Sequence, residues 1–163
     1  MRVRIENEYT FPWGTMGYDS ILEYEIFGSG TMDSPFSLKP TVVSESGYTI
    51  KIWNSKAFID FTNQKIYGIS LYNCSNISIQ NSELKYLYIE NCHHINLSNI
   101  SVKKTAKIIK SENIKIATLK SDALHINACL TTLLTNSSIN KLYQTEHSDL
   151  IVKDTIVKKH KTV

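Results

Sequence analysis

Apolar residues recur along this chain in pairs two apart, and the pairs return about every 18 residues. Ser75-Asn76-Ile77-Ser78-Ile79 is followed, 18 residues on, by His93-His94-Ile95-Asn96-Leu97. A step of 19 then reaches Glu112-Asn113-Ile114-Lys115-Ile116. Two further steps of 18 reach Thr132 and Leu134, then Leu150 and Val152, and one step back reaches Ile59 and Phe61. The columns are Ile59, Ile77, Ile95, Ile114, Thr132, Leu150 and Phe61, Ile79, Leu97, Ile116, Leu134, Val152. Residues two apart on a strand share a face, so each pair predicts one strand turned inward. A long internal repeat of this kind is the signature of a solenoid.

The same step yields two more strong columns. One is Ile69, Leu87, Ala106, Leu124, Leu142, and the other is Trp53, Leu71, Ile89, Ile108, Ile126, Gln144. A sparser third face follows Ile66, Leu84, Val102, Ser121, Ile139, Val157. Asn63, Asn81, Asn99, Thr118, Asn136 and Asp154 share one polar register. Stacked asparagine amides bond along the axis of such a coil. This ladder played no part in finding the period, so it supports it independently. A left-handed hexapeptide solenoid needs an apolar residue every six positions, but Leu71 and Ile77 are followed by Glu83. An antiparallel sandwich does not explain columns that repeat without reversal, and Asn-Gly turns are absent.

The expected fold is therefore all-β: a single-stranded right-handed parallel β-helix with ~18-residue coils and an N-terminal cap. Residues 1–38 lie outside the period and are read as the cap, 39–157 as the β-helix, and 158–163 as a polar C-terminal tail. An open solenoid end exposes apolar side chains and unpaired strand edges, so a cap over the first coil is expected. Residues 19–27 suit a short amphipathic helix within it.

Two passages resemble the parallel β-helix repeat, or pectate-lyase-like, superfamily: Leu71-Tyr72-Asn73-Cys74-Ser75-Asn76-Ile77-Ser78-Ile79-Gln80-Asn81-Ser82 and Ile89-Glu90-Asn91-Cys92-His93-His94-Ile95-Asn96-Leu97-Ser98-Asn99. Upstream, Gly28-Ser29-Gly30-Thr31-Met32-Asp33-Ser34-Pro35-Phe36-Ser37-Leu38 is similar to the glycine-threonine and proline-aromatic opening of many such helices in archaeal and bacterial surface proteins. The resemblance covers about residues 28–157 and implies a fold, with almost nothing about activity. The coils are shorter than those of pectate lyases and closer to bactofilin coils, whose glycine-rich pattern is missing here.

Composition changes this picture little. Apolar residues make up 42% and charged residues 20%, as in an ordinary globular chain. No apolar run approaches the ~18 residues of a membrane-spanning helix. No apolar stretch follows the basic N-terminus, so no secretory signal is expected. The three cysteines, an odd number, argue against a disulfide framework and favour a reducing setting, such as cytoplasm or virion, with the compartment otherwise open. Residues 63–163 carry thirteen basic and seven acidic groups, whereas residues 1–62 carry five and eight. That imbalance permits anionic partners but is too mild to imply nucleic acid.

Family lyases use a basic residue with calcium-binding carboxylates, and family hydrolases use clustered aspartates. Here the only arginines, Arg2 and Arg4, precede the coils, and Asp60, Asp122, Asp149 and Asp154 form no paired-acid motif. No catalytic residue, cofactor or metal is assigned. Cys74 and Cys92, with His93 and His94 beside them, have metal-ligand chemistry, but cysteine is also a small apolar residue that stacks at solenoid turns. The outward residues Ser70, Tyr88, Lys107, His125 and Tyr143, with Tyr72 and Tyr86 nearby, offer aromatic platforms for a polysaccharide or glycan. A second outward column, Asp60, Ser78, Asn96, Lys115, Leu133, Ile151, turns apolar at its end. With Ile156 it marks a candidate homo-oligomer face. A cluster of lysines including Lys103, Lys104, Lys107 and Lys110 is by default a solvated face. The expected function is a non-catalytic scaffold, a structural or adhesion component of a virion, appendage or envelope. The alternatives are a carbohydrate-binding or carbohydrate-active protein and a cytosolic self-assembling filament.

Overall fold

The structure, a computed structural model, describes the backbone of residues 2–5, 8–11, 14–18, 22–40 and 49–162, with side chains placed for 26–37 and 49–162. Among the described residues all regular elements are strands, joined in one 15-stranded sheet. The first five are β1 (Arg2–Ile5), β2 (Glu8–Phe11), β3 (Gly14–Tyr18), β4 (Leu22–Phe27) and β5 (Phe36–Pro40). The first coil is completed by β6 (Thr49–Trp53), followed by β7 (Ile59–Thr62) and β8 (Lys65–Tyr72). Three long strands follow: β9 (Ser75–Glu90), β10 (His93–Ile109) and β11 (Glu112–Asn127). The last coils use β12 (Leu130–Thr135), β13 (Ser138–Gln144), β14 (Leu150–Lys153) and β15 (Ile156–Thr162). No helix among the described residues is long and apolar enough to cross a membrane.

From β5 onward the coils stack in parallel. Ile59 pairs with Ile77, Ile77 with Ile95, Ile95 with Ile114, Ile114 with Thr132, and Thr132 with Leu150. The column from Phe61 to Val152 and that from Ile66 to Val157 hold in the same way. One expectation needs correction. Leu71 pairs with Ile52, not Trp53, and Trp53 instead pairs with Tyr72 on the outer surface. The first coil advances by 19 residues at this point, as the Asn54–Asn73 bond also shows. Ile52 is fully buried and Trp53 is half-buried.

The coil turns on single residues in the left-handed conformation. Three such corners occur in each central coil, with φ between 47° and 63°. The expected ladder from Asn63 to Asp154 is one of them, and Asn99 Nδ2 donates to Asn81 Oδ1 at 2.8 Å. A second runs through Asn54, Asn73, Asn91, Lys110 and Ala128, and a third through Asn76, His94, Asn113 and Thr131. Asparagine tolerates positive φ better than most L-residues because its short amide bonds locally, which explains its frequency at these corners. After two of the corners comes a small buried residue. Ser55, Cys74, Cys92, Ser111, Cys129 and Ser148 form one such column, in which serine and cysteine fill the same place. Ser111 Oγ accepts from Cys92 N–H at 3.1 Å and donates to Ile109 O at 2.8 Å. Ser137 does the same between Leu119 N–H and Thr135 O. Each hydroxyl satisfies one backbone group on each of two coils.

The N-terminal region is built differently. β1 is antiparallel to β4, β4 to β5, β2 to β3 and β3 to β6. Residues 22–27, expected within a short helix, are strand β4, because pairing with β5 outweighs the local helical pattern. The rest of that expectation, residues 19–21, lies outside the described residues. Between β4 and β5 the carbonyl of Ser34 accepts from the N–H groups of Ser29, Gly30 and Thr31. Gly30 has φ 75°, and a Cβ there would meet the Phe36 ring at 2.3 Å, so only glycine fits. At the other end, Lys158, Lys159, His160 and Lys161, read as a polar tail, are part of β15, which pairs with β13.

Candidate functional site

The six residues read as a binding face share one outer surface. Tyr88, Lys107, His125 and Tyr143 stand in one register, extended by Ser70 and Lys51 above and Lys161 below. Their neighbours in the chain, Leu87, Ile89, Leu124, Ile126 and Leu142, point inward and are buried. Strand alternation therefore drives the aromatic and basic residues outward. Tyr72 and Tyr86 flank this column two residues to either side of it. Tyr86 aligns with Gly68 and Thr105, and Tyr72 with Trp53 and Glu90. The rings touch along the axis: Trp53 and Tyr72 lie 6.2 Å apart, Tyr72 and Tyr88 5.3 Å, and His125 stacks on Tyr143 at 4.4 Å. Trp53, Lys51 and Tyr67 belong to this surface but were not read from the sequence. The 19-residue first coil displaced Trp53 from its column, and recognising that step would have recovered it.

Charge is woven through the rings. Lys85 lies over Tyr67 at 4.6 Å, Lys104 over Tyr86 at 5.8 Å and Lys107 over Tyr88 at 5.9 Å. Tyr88 donates its hydroxyl to Glu90 Oε2 at 2.8 Å. Burial, then the bond to Glu90 and its charge, push the Tyr88 phenol up to about 12, so it acts as a neutral donor. Partial burial and the nearby Lys107 hold His125 below the ordinary imidazole value. The surface therefore offers flat rings, cations and a neutral imidazole, which suits stacking and anion pairing. Asp60 lies on the opposite set of strands, with its carboxyl raised by burial. Asp122 accepts from Asn140 Nδ2 at 3.1 Å, and Asp154 is a corner residue.

The cysteine–histidine group separates. Cys74, Cys92 and Cys129 are buried free thiols. Cys74 Sγ donates toward Tyr72 O at 3.1 Å, and Cys92 Sγ toward Glu90 O at 3.2 Å. The hydrogen bond with Cys74, together with burial, pushes the Cys92 thiol up, and burial does the same for Cys129. His93 and His94 are exposed, and His93 faces Glu112 at 3.6 Å.

The column from Asp60 to Ile151 is in register as read, and it ends apolar. Leu133 is half-buried, and Ile151 is 48% exposed. Ile156 does not share that face. It lies round the corner on β15, in register with Ser138, and is 68% exposed. Val152 joins them unannounced by the pattern. It is an inward position, yet 42% exposed because no described coil follows it. No family model matches the chain, and neither a curated protein nor a solved structure is significantly similar to it.

Proposed function

We propose that this chain is a non-catalytic β-helical scaffold of right-handed coil, akin to the pectate-lyase-like superfamily, that works by self-association as a structural or adhesion component. The observation that carries this reading is the last coil. β14 and β15 each have a strand partner on one side only among the described residues, and Ile151, Val152 and Ile156 stand exposed beside those edges. Open edges with apolar neighbours favour added strands. Light scattering and sedimentation across a concentration series test it. Mass above the 18.6 kDa of one chain, falling back to it in Ile156→Lys and Ile151→Lys variants that keep their circular dichroism, is the expected result. A monomer at every concentration overturns it.

A second reading is favoured by the Tyr88–Tyr143 ladder: a surface that binds a polysaccharide. Affinity electrophoresis in gels containing neutral or uronate polysaccharides tests this. Retardation of the wild type, lost in Tyr88→Ala with Tyr143→Ala, supports it, and unretarded migration in every gel removes it.

A further inference from the structure

Lysine collects on the same outer surface as the Tyr88–Tyr143 ladder. Lys107 and Lys161 stand in the ladder itself. Lys141 and Lys159 continue the neighbouring row, which starts from Tyr86. Lys85 and Lys104 come just before that row on β9 and β10, with their ammonium groups over the rings of Tyr67 and Tyr86. Of the acids on this surface, Glu90 accepts from the Tyr88 hydroxyl and Asp122 from Asn140. The opposite face is different. Between β7 and β14 its two outward rows, which begin at Asp60 and Thr62, carry two cations, Lys115 and Lys153. The positive charge of the coils is therefore sorted to one side, and on that side it is interleaved with rings.

Shape and chemistry narrow the occupant. Grooves of 460, 480 and 530 Å³ run beside Asn81 and Asn99, beside Asp60 and His94, and beside Lys103 and Ser121. Tyr88, Lys107, His125 and Tyr143 line none of these three. The ladder lies on the open side of a parallel sheet, without one of these grooves to seat a single chain. Its six lysines spread over a field of roughly 19 Å along the coil axis and about 10 Å across it, from strand spacing and rise. One linear polyanion would follow one row of such a field, whereas a planar array of anions meets all of it. Ammonium and phenol groups donate hydrogen bonds, and phosphate and carboxylate oxygens accept them. Tryptophan and tyrosine rings, apolar with a polar tip, are the side chains that settle at a lipid headgroup layer. Lysine attracts the anionic lipids of such a layer.

We propose that this face docks on the surface of an anionic lipid bilayer, with its lysines against the headgroup anions and Trp53 and the tyrosines at headgroup level. The inference does not depend on self-association. It gives the ladder a different occupant from the polysaccharide of the second reading, and one experiment separates the two.

That experiment is flotation with vesicles, in which protein polymers without lipid stay at the bottom of the gradient. The wild type should float with vesicles of equal parts phosphatidylcholine and phosphatidylserine, and not with phosphatidylcholine alone. Lys104, Lys107 and Lys141 are exposed, so their replacement leaves the core untouched. Lys104→Gln, Lys107→Gln and Lys141→Gln combined should weaken binding about a hundredfold, since each lysine near an anionic surface contributes about fivefold. Lys115→Gln with Lys153→Gln, on the opposite face, should float as the wild type does. Raised salt should release the protein, because the attraction is screened. Equal flotation with phosphatidylcholine alone, or an equal loss in the opposite-face variant, overturns the proposal. Absence of flotation overturns it too, and if the uronate gel retards the same protein, the ladder belongs to a polysaccharide chain.

Discussion

The coils from Ser75 to Asn127 and the last coil from Leu150 to Thr162 follow one pattern and reach opposite states of burial. In the column that begins at Phe61, Leu97 is 2% exposed and Leu134 is fully buried, whereas Val152 is 42% exposed. The residues are of similar kind and occupy the same register. What differs is the number of neighbours. A coil in the middle of a solenoid is covered on both sides and an end coil on one, so stability is a sum of nearest-neighbour terms. The central coils also have strands of 16 and 17 residues that run round a corner without a break, whereas β14 has 4 residues.

The sharpest test of this contrast is truncation within one column. Leu97→Ala should cost about 3 kcal/mol in urea denaturation, the usual loss for a buried leucine. In samples dilute enough to hold the chain as a monomer, Val152→Ala should cost less than about 0.5 kcal/mol, as for a surface change. Comparable losses in the dilute samples would break the comparison by showing that Val152 is covered within the chain, whereas a larger loss that appears only at high concentration marks covering by another copy.

A smaller effect is expected where the inward pattern turns polar. Thr132 is fully buried in the column of Ile95 and Ile114, and its hydroxyl finds no hydrogen-bond partner. Thr132→Val keeps the shape and removes the unpaired group, so it should stabilise by about 1 kcal/mol. A loss of stability in the same denaturation experiment would show that the hydroxyl is satisfied. Thr118, like Thr131, is a β-branched residue at a left-handed corner, with φ 58° between Asn99 and Asn136 in the ladder. Thr118→Asn should raise the melting temperature, by up to about 1 kcal/mol in free energy, through relief of an unfavourable backbone conformation. No gain would mean that the corner is less constrained than its ladder neighbours.

The smallest effect is a pH dependence from the outer ladder. The His125 imidazole lies below the ordinary value of 6.5 in the folded chain, through burial and then Lys107. Between its folded value and 6.5 the unfolded chain binds more protons. The contribution of His125 is therefore intact above pH 6.5 and is lost as pH falls through that window. Denaturation midpoints at pH 7 and pH 5.5 should differ more for the wild type than for His125→Phe, which keeps the stack on Tyr143. Equal pH slopes would show that His125 is as solvated as an unfolded imidazole.

Much of this molecule is legible from residue order. A period-2 alternation nested in an 18-residue repeat can bury its apolar members only by stacking, so the columns from Ile59 to Leu150 and from Ile66 to Val157 follow from the sequence alone. The asparagine register was readable too, because few other side chains accept a left-handed corner. The shared outer surface of Tyr72, Tyr86, Tyr88, Lys107, His125 and Tyr143 followed from the same alternation. Three things required the tertiary structure. The longer first coil put Ile52 inside and Trp53 outside, since one added residue at a corner moves a side chain to the other face. Residues 22–27 became strand because their partner was β5, a contact that local sequence does not encode. The exposure of Val152 depends on what lies beyond it, because burial belongs to the stack of coils and not to the residue.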